Sequence, residues 1–310
     1  MANIRQIAKL SGYSVSSVSR VLNNHPHVSD EAREKILQVI RDLDYTPNIL
    51  AKELSLGQTH KVGVVIPHTR HPYFTQLLNG LLDAAQASQH QLVLLPSQYN
   101  QELELSYLEQ LRGHAFDSLI FTSRSVDLER IASYVKYGNI VCCEKVENQK
   151  IGSVYVNREP AYLQIYQYLK EQDFQNIALL LTRAEKQSAT YRHNLSAYQK
   201  IYGKNKPPLI FERIANTKDA YKVAPQLAAS DKIDCIFTNG DDVAAGVIRY
   251  YQEHGLSLPL TIGQENQISS QLLGIPTVDN KSYQLGQAAF AQALAEQADT
   301  VVLIAEFINR

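Results

Sequence analysis

The stretch "IRQIAKLSGYSVSSVSRVL", residues 4–22, decides how the chain begins to fold. It contains two short segments with apolar side chains at helical spacing, and Gly12 interrupts the pattern between them. Ser14 stands where an N-cap residue would start the second helix. Because the break at Gly12 is short, the two predicted helices must cross. Their apolar positions are Ile4, Ile7, Ala8 and Leu10 in the first helix and Val15, Val18, Val21 and Leu22 in the second.

A third helix is predicted immediately downstream. Ser29 is the expected N-cap, and Asp30 and Glu31 suit the positive end of the helix dipole. We therefore predict that residues 1–46 form a small all-α domain whose three helices share one apolar face. The third helix contributes Ala32, Ile36, Val39, Ile40 and Leu43 to that face.

The second predicted helix has the composition of a DNA-binding surface. Residues 1–24 contain Arg5, Lys9 and Arg20 but no Asp or Glu, although the whole chain has a net charge of −1. In a helix-turn-helix the second helix enters the major groove, where serine hydroxyls can approach phosphates and base edges. The alternative is that Ser14 and Ser19 only cap the helix and face solvent. The spacing, the serines and the charge together favour DNA binding.

Residues 47–60 are predicted to form a hinge helix and linker. The candidate helix, residues 48–55, is shorter than the roughly 12 residues below which isolated helices are marginal in water. We expect it to fold only when it packs against a partner, and the alternative is an ordinary linker. The first 60 residues hold seven Lys or Arg and six Asp or Glu. This small surplus predicts that a homodimer, reading two half-sites, is needed for tight DNA binding.

From residue 61 onward the sequence alternates between β-rich runs and amphipathic helical segments. The candidate strands are "VGVVIP", "QLVLLP", "SLIFT", "NIVCC", "SVYV", "NIALLL", "DCIFT" and "LTIG". This alternation predicts an α/β core of parallel sheets flanked by helices. Sheets of this kind bind ligands at the carboxyl ends of their strands. A run of this length should divide into two lobes with a cleft between them.

Several function classes find no support in the residues. The chain has no dinucleotide-binding or P-loop glycine spacing, no H-E-x-x-H, no C-x-x-C and no G-x-S-x-G. We expect no catalytic residue, no cofactor and no metal site. The N-terminus "MANIRQIAKL" has no apolar signal segment, so we expect a cytoplasmic protein without a membrane partner. The cysteines, Cys142, Cys143 and Cys235, are expected to be reduced core residues.

The run "IRQIAKLSGYSVSSVSRVLNNHPHVSDEAREKILQVIRDLDYTPNILAKEL" closely resembles the DNA-binding domain and hinge of the lac repressor and galactose repressor family. The runs "VGVVIPHTRHPYFTQLLNGL", "DCIFTNGDDVAAG" and "LTIGQEN" resemble the effector-binding core of the same family. The resemblance implies a helix-turn-helix headpiece, a hinge helix and a two-lobed core like that of periplasmic sugar-binding proteins. The first lobe would cover about 61–157 and 280–298, the second about 158–279, and a C-terminal strand about 300–310.

The resemblance also implies a set of DNA-contacting residues. Val15, Ser16 and Arg20 would face base edges, with Arg20 bonding guanine. Leu54 matches the hinge leucine that wedges into the minor groove. Lys52 and Glu53 depart from the family pattern, in which arginine and serine are common at these positions. A carboxylate at Glu53 would lie near phosphates and weaken binding by the hinge. The full predicted set is Ser14, Val15, Ser16, Ser17, Arg20, Asn23, Lys52 and Leu54.

For the effector pocket the resemblance points to an aromatic pair and to carboxylates that follow strands. Glu144 and Glu265 match positions that are often aspartate in sugar-responsive members, and a carboxylate can accept two sugar hydroxyls. Asn194 stands in place of an arginine, which makes strongly anionic effectors less expected. The alternatives are that the aromatic residues are core and the glutamates are solvated. The predicted set is Tyr73, Phe74, Glu144, Ser188, Thr190, Asn194, Asp241 and Glu265.

These observations predict a transcriptional regulator, a repressor that binds near-palindromic operator DNA as a homodimer. A small carbohydrate between the lobes would control its operator affinity. Control by a protein coregulator or by a non-sugar metabolite is the main alternative. A sugar-binding protein without a DNA role is a further alternative, against which the headpiece argues.

Overall fold

The computed structural model describes residues 3–48, 53, 57–148, 150–183, 188–230, 232–297 and 299–310. It divides into two compact units, Met1–Thr59 and His60–Arg310. The hinge positions Lys52 and Leu54 lie outside the described residues. None of the helices that the structure describes is long and apolar enough to cross a lipid bilayer.

The first unit consists of three helices: α1 (Ile4–Ser11), α2 (Val15–Leu22) and α3 (Asp30–Asp42). The predicted caps are confirmed, since the Ser14 and Ser29 hydroxyls accept backbone N–H groups at the start of α2 and α3. Gly12 ends α1 with a φ of 76°, a left-handed conformation that glycine adopts without strain. The core is formed by Ile7, Ala8, Val18, Val21 and Ile36.

Two predicted apolar positions of this unit are exposed, Leu10 at 56% and Val15 at 43%. The buried stripe of α1 runs through residues 4, 7, 8 and 11, and Leu10 lies beside it because of the helical repeat.

The second unit contains two six-stranded sheets, one in each lobe. The strands, in chain order, are β1 (Lys61–Ile66), β2 (Gln91–Pro96), β3 (Ser118–Phe121), β4 (Asn139–Cys142), β5 (Gly152–Asn157), β6 (Ile177–Leu181), β7 (Leu209–Glu212), β8 (Cys235–Thr238), β9 (Leu260–Gln264), β10 (Thr277–Asp279), β11 (Thr300–Ile304) and β12 (Glu306–Ile308). All eight candidate strands of the sequence correspond to strands of this list.

The helices of the second unit fill the connections between these strands. They are α4 (Pro72–Ala87), α5 (Gln101–Arg112), α6 (Leu128–Ala132), α7 (Glu159–Glu171), α8 (Ala189–Tyr202), α9 (Thr217–Ala228), α10 (Asp241–Glu253), α11 (Ile268–Leu273) and α12 (Ser282–Ala293). The predicted α/β class with helix-flanked parallel sheets is therefore confirmed.

The chain crosses between the lobes three times. The first sheet has the order β11-β5-β4-β3-β1-β2, and the second has the order β12-β10-β9-β8-β6-β7. Every pairing is parallel except that of β12 with β10. The segment after residue 300 is not one strand, because it gives β11 to the first sheet and, after Ala305, β12 to the second. The lobes are thus tied together by the connections after β5, β10 and β11.

Close helix packing sets one wall of the first lobe. A Cβ atom on Gly80 of α4 would lie 2.0 Å from the carbonyl oxygen of Tyr283, and one on Gly286 of α12 would lie 2.1 Å from that of Leu77. Because neither position has room for a side chain, glycine allows α4 and α12 to touch along their backbones. The same helix α4 carries Tyr73 and Phe74 in its first turn.

Candidate functional site

A cleft of about 750 Å³ lies between the two lobes of the second unit. Its lining comes largely from residues that directly follow parallel strands, at the carboxyl ends where such sheets bind ligands. The residues that follow strands of the first lobe are His68, Tyr99, Thr122, Ser123, Arg124, Cys143, Glu144 and Arg158. Those that follow strands of the second lobe are Thr182, Arg183, Asn239, Glu265 and Asn280.

Aromatic rings form one wall of the cleft. The ring centroids of Tyr73 and Phe74 are 5.0 Å apart, and that of His68 lies 5.2 Å from Phe74 and 6.2 Å from Tyr99. All four rings meet edge to face, the arrangement that the aromatic quadrupole favours. Both predicted aromatic residues therefore line the cleft, although Phe74 is nearly buried. Such a wall offers an apolar surface to one face of a ring-shaped ligand.

Glu144 lines the cleft in an ion pair with Arg124. The Nε of Arg124 donates to one carboxylate oxygen at 2.5 Å, and its Nη2 donates to the other at 3.4 Å. The loop that carries Arg124 is held by the buried carboxylate of Glu104, which accepts the backbone N–H groups of Ser125 and Val126 at 2.6 and 2.9 Å. The pair thus presents a positioned cation beside the predicted carboxylate.

Glu265 lines the cleft from the end of β9. Its two carboxylate oxygens accept hydrogen bonds from Asn280 at 2.7 Å and from Ser282 at 2.8 Å. Its backbone has a φ of 90°, and that of Asn266 has a φ of 47°. A positive φ is costly for a side chain larger than glycine, and such strain concentrates at functional sites. The carboxylate is therefore held in a fixed orientation at the cleft wall.

Two of the predicted effector residues are not brought to the cleft surface. Asn194 is buried, and its side-chain oxygen accepts the hydroxyl of Tyr166 behind the wall. Asp241 is also buried and accepts hydrogen bonds from the Thr277 hydroxyl and the Gln267 backbone N–H, each at 2.6 Å. Burial raises the pKa of Asp241 to about 6. Both residues support the site from behind.

Ser188 and Thr190 both line the cleft at the beginning of α8. The Ser188 hydroxyl accepts the Tyr191 backbone N–H at 3.1 Å and so caps the helix. The hydroxyl accepts in this cap and can still donate its own proton, and Thr190 is half-buried in the wall. The positive end of the α8 dipole therefore points toward the cleft.

The sequence interpretation missed several cleft residues, most of them basic. Lys145, Arg158 and Arg192 line the cleft, together with Arg183 and His193. Arg158 directly follows β5, so its position at a strand end was a usable signal. Arg192 and His193 lie in the first turn of α8, on the face opposite the buried stripe through Tyr191 and Asn194.

The lobes also touch directly across the cleft. An Arg183 N–H donates to the Tyr99 hydroxyl, and the Arg183 guanidinium carbon lies 4.3 Å from the Tyr99 ring centroid. Near the other wall, the Arg158 Nε donates to the Asn280 side chain at 3.0 Å. The lobes are therefore held together by contacts that an effector in the cleft would share or replace.

Two histidines of the cleft favour the neutral form. Burial lowers the pKa of His68 and of His71, and the charge of Arg183 adds to the effect on both. The Nδ1 of His71 accepts the Tyr73 backbone N–H at 3.2 Å as the N-cap of α4. Within the described ranges, no group of three His, Cys, Asp or Glu side chains is arranged to hold a metal ion.

The first unit exposes the predicted DNA-contacting face of α2. Val15, Ser16, Arg20 and Asn23 are exposed, and Ser17 is half-buried. The hydroxyls of Ser14 and Ser16 lie 2.7 Å apart, and Ser17 bonds to Ser14 as well. The Asn23 side chain donates to the Ser19 carbonyl and ends the helix. The exposed surface of α2 therefore combines hydroxyls, one apolar side chain and one guanidinium.

Sequence comparison relates the chain to bacterial regulators over nearly its whole length. Residues 3–48 match the family described as "Bacterial regulatory proteins, lacI family", and residues 59–303 match "Periplasmic binding proteins and sugar binding domain of LacI family". The chain is 36% identical to Catabolite control protein B of Bacillus subtilis (strain 168) over 298 residues. The alignment covers 96% of each protein.

Solved structures show the same fold. The lac repressor dimer bound to operator and the anti-inducer ONPF superposes with a TM-score of 0.82 at 20% identity, covering 100% of this chain and 98% of that one. A LacI family transcriptional regulator from Lactobacillus casei with bound sucrose superposes with a TM-score of 0.71 at 20% identity. The superposition covers 81% of this chain and 98% of that one. At these identities the likeness is one of architecture.

Proposed function

This chain belongs to the LacI family of bacterial regulatory proteins, and we propose that it is a repressor whose operator affinity is controlled by a small carbohydrate. It is a DNA-binding transcriptional regulator with a sugar-binding core, not an enzyme. The observation that carries the proposal is the cleft, where aromatic rings and fixed hydrogen-bonding side chains meet at the strand ends of both lobes. A protein whose partner is the chromosome works in the cytoplasm.

DNA binding is assigned to the exposed face of α2. Arg20 offers the bidentate donors that read guanine, and Val15 offers apolar contact to a thymine methyl group. The serine hydroxyls beside them suit phosphate contacts. Ser14, Ser16, Ser17, Asn23 and the hinge residues Lys52 and Leu54 complete the proposed interface.

A homodimer on a near-palindromic operator is part of the proposal. The first unit has too small a basic surplus to bind tightly as a single copy. On α11, Ile268 is 67% exposed and Leu272 is 79% exposed. These residues are four apart and so share one helix face, which suits burial against a second copy. The similar lac repressor structure is a dimer bound to operator.

A carbohydrate is proposed as effector because the cleft combines aromatic rings with positioned polar groups. Tyr73 and Phe74 suit a sugar ring face, while Glu144 and Glu265 suit hydroxyl donors. Ser188 and Thr190 would add contacts from the second lobe. The similar structure from Lactobacillus casei contains sucrose.

Control of operator affinity is proposed to act through the arrangement of the lobes. An effector that bridges the cleft would favour one relative orientation of the lobes, and the linkers of a dimer would then be spaced differently. A coupling of about 1–3 kcal/mol changes operator affinity roughly 5- to 150-fold. The same coupling requires operator DNA to change effector affinity by an equal factor.

The experiment that tests the proposal is a thermal-shift screen of the full chain against mono- and disaccharides and their phosphate esters. We expect a bound sugar to raise the melting temperature, and Glu265→Gln to abolish that rise. Glu129→Gln, an exposed change outside the cleft, is the matched control. The same sugar must change affinity for an operator selected from random DNA. If no sugar has either effect, a protein coregulator or a non-sugar metabolite becomes the better assignment.

A further inference from the structure

We propose that the effector carries an anionic group, a phosphate ester or a carboxylate, bound by the cluster formed by Lys145, Arg158, Arg192 and His193. This inference rests on the proposed function, because it specifies the chemical class of the ligand in the same cleft. The four side chains all line the cleft, from three different strand or helix ends. We refer to them as the basic cluster.

The charges of the cleft do not balance. Five Lys and Arg side chains line its described part, namely Arg124, Lys145, Arg158, Arg183 and Arg192, but only three carboxylates do, namely Glu144, Glu159 and Glu265. A neutral sugar needs no such surplus, whereas an oxyanion is stabilised by it in a partly desolvated site.

Each of the three carboxylates already has an ion-pair or hydrogen-bond partner. Glu144 is paired with Arg124, and Glu159 forms an ion pair with Lys200. Both oxygens of Glu265 accept hydrogen bonds from neutral side chains. Among the residues that the structure places, no carboxylate forms an ion pair with Lys145 or Arg158. These two charges are therefore available to a ligand.

Arg158 is positioned for this role. Its Nε donates to Asn280 at 3.0 Å, and its guanidinium carbon lies 6.0 Å from the Tyr73 ring centroid. The terminal guanidinium nitrogens have no other hydrogen bond among the described residues, so they can bind two oxygens of one anion. The ligand would then carry its anionic group next to the ring that binds its apolar face.

Other features of the cluster agree with an anion. The pKa of His193 is lowered by desolvation and then by the charges of Arg158 and Arg192, with a further contribution from Lys145. These side chains therefore act on one region of space, and an oxyanion there would relieve their repulsion. The N-terminus of α8, capped by Ser188, adds its partial positive charge.

The sequence made strongly anionic effectors less expected, because Asn194 stands in place of an arginine. In the structure Asn194 is behind the wall, while Arg192 on the same helix lines the cleft. The positive charge of the cleft is supplied from other positions.

The test compares matched ligands by calorimetric titration of the full chain. The panel contains hexoses, their 1- and 6-phosphates, the corresponding sugar acids, and inorganic phosphate. We expect an anionic sugar to bind at least about tenfold more tightly than its neutral parent. Phosphate esters and sugar acids are titrated separately, and their relative affinities show whether the bound anionic group is a phosphate or a carboxylate.

Variants locate the site. Arg158→Gln and Lys145→Gln should each weaken binding of the anionic sugar by about tenfold or more, and each should weaken it by a larger factor than it weakens binding of the neutral parent sugar. Lys145 is exposed, so Lys145→Gln should fold like the wild type and keep the test interpretable if Arg158→Gln misfolds. Lys222→Gln makes the same charge change on the outer face of α9 and should have no effect.

The outcomes separate this inference from the proposed function. If a neutral sugar binds as tightly as its anionic form and Arg158→Gln changes nothing, the anionic inference is overturned and the carbohydrate proposal stands. If only inorganic phosphate binds, with loss in Arg158→Gln, the basic cluster is supported and the carbohydrate proposal fails. If no compound of the panel binds, both are overturned.

Discussion

Tyr99 and Arg183 join the two lobes across the cleft. The guanidinium carbon of Arg183 lies 4.3 Å from the centroid of the Tyr99 ring, and an Arg183 N–H donates to the Tyr99 hydroxyl. Tyr99 follows β2 in the first lobe, whereas Arg183 follows β6 in the second. The pair therefore stabilises the arrangement of the lobes that the structure shows.

We predict that Tyr99→Ala weakens effector binding by roughly 5- to 30-fold. It removes a cation–π contact and a hydrogen bond, together about 1–2 kcal/mol in a partly buried site. Tyr99→Phe keeps the ring and should show a smaller loss. Titration calorimetry of both variants measures the difference.

The control is Tyr221→Phe, which removes a hydroxyl that donates to Glu253 on an outer surface. It should bind effector like the wild type. Equal affinities for wild type and Tyr99→Ala would show that the inter-lobe contact does not stabilise the ligand-bound form.

Asp241 makes stability depend on pH in the acid range. Its folded pKa is about 6, above the ordinary 3.8, so the folded state binds the proton more tightly than the unfolded state. This contribution to stability is complete below pH 3.8 and is lost as the pH rises through about 6. The shift corresponds to about 3 kcal/mol.

The measurement is the free energy of unfolding in urea between pH 4 and 8, for the wild type and Asp241→Asn. The difference between the two proteins should favour the wild type more at pH 4 than at pH 8. Subtracting the free energy of unfolding of Asp241→Asn from that of the wild type removes the contribution of the other carboxylates, which titrate in both proteins. A difference that is constant over this pH range would rule out a raised pKa at Asp241.

Much of the fold was accessible from the sequence because the signals are local. Ser14 and Ser29 cap helices through hydroxyls within three residues of the groups they bind. Central strands such as β3 and β8 are short, apolar runs that are buried on both faces. Glu144 and Glu265 were found because each directly follows a strand.

Two kinds of site residue were not placed correctly from the sequence. One kind matched a family position but lay on a buried helix face, and the other made contacts with residues far away in the chain. Asn194 lies on the buried stripe of α8 with Tyr191 and Tyr198, so its spacing indicated burial more strongly than its match to a family position indicated ligand contact. Tyr99 and Arg183 are 84 residues apart in the chain. No periodicity in either segment could place them face to face.

The exposed apolar face of α11 leads to a prediction about self-association. Leu272→Glu should weaken dimerisation at least about tenfold, because burying a leucine is worth about 1.5–3 kcal/mol and the new charge would be desolvated. Sedimentation analysis over a range of protein concentrations measures the change.

Leu256→Glu is the matched control, since Leu256 is 43% exposed in the turn after α10. It should leave the association constant unchanged. A dimer that is unaffected by Leu272→Glu would place the interface on another surface.

Arg20 is predicted to read a base directly. In binding titrations with a selected operator, Arg20→Ala should lose about 1–3 kcal/mol of discrimination against one base change in each half-site. Its side chain is exposed in the last turn of α2, where a bidentate contact to guanine can form. Arg41→Ala is the control, because the Arg41 guanidinium already bonds to Gln38 on α3. If Arg20→Ala instead weakened binding to all sequences equally, Arg20 would contact a phosphate, and base recognition would rest on the other exposed residues of α2.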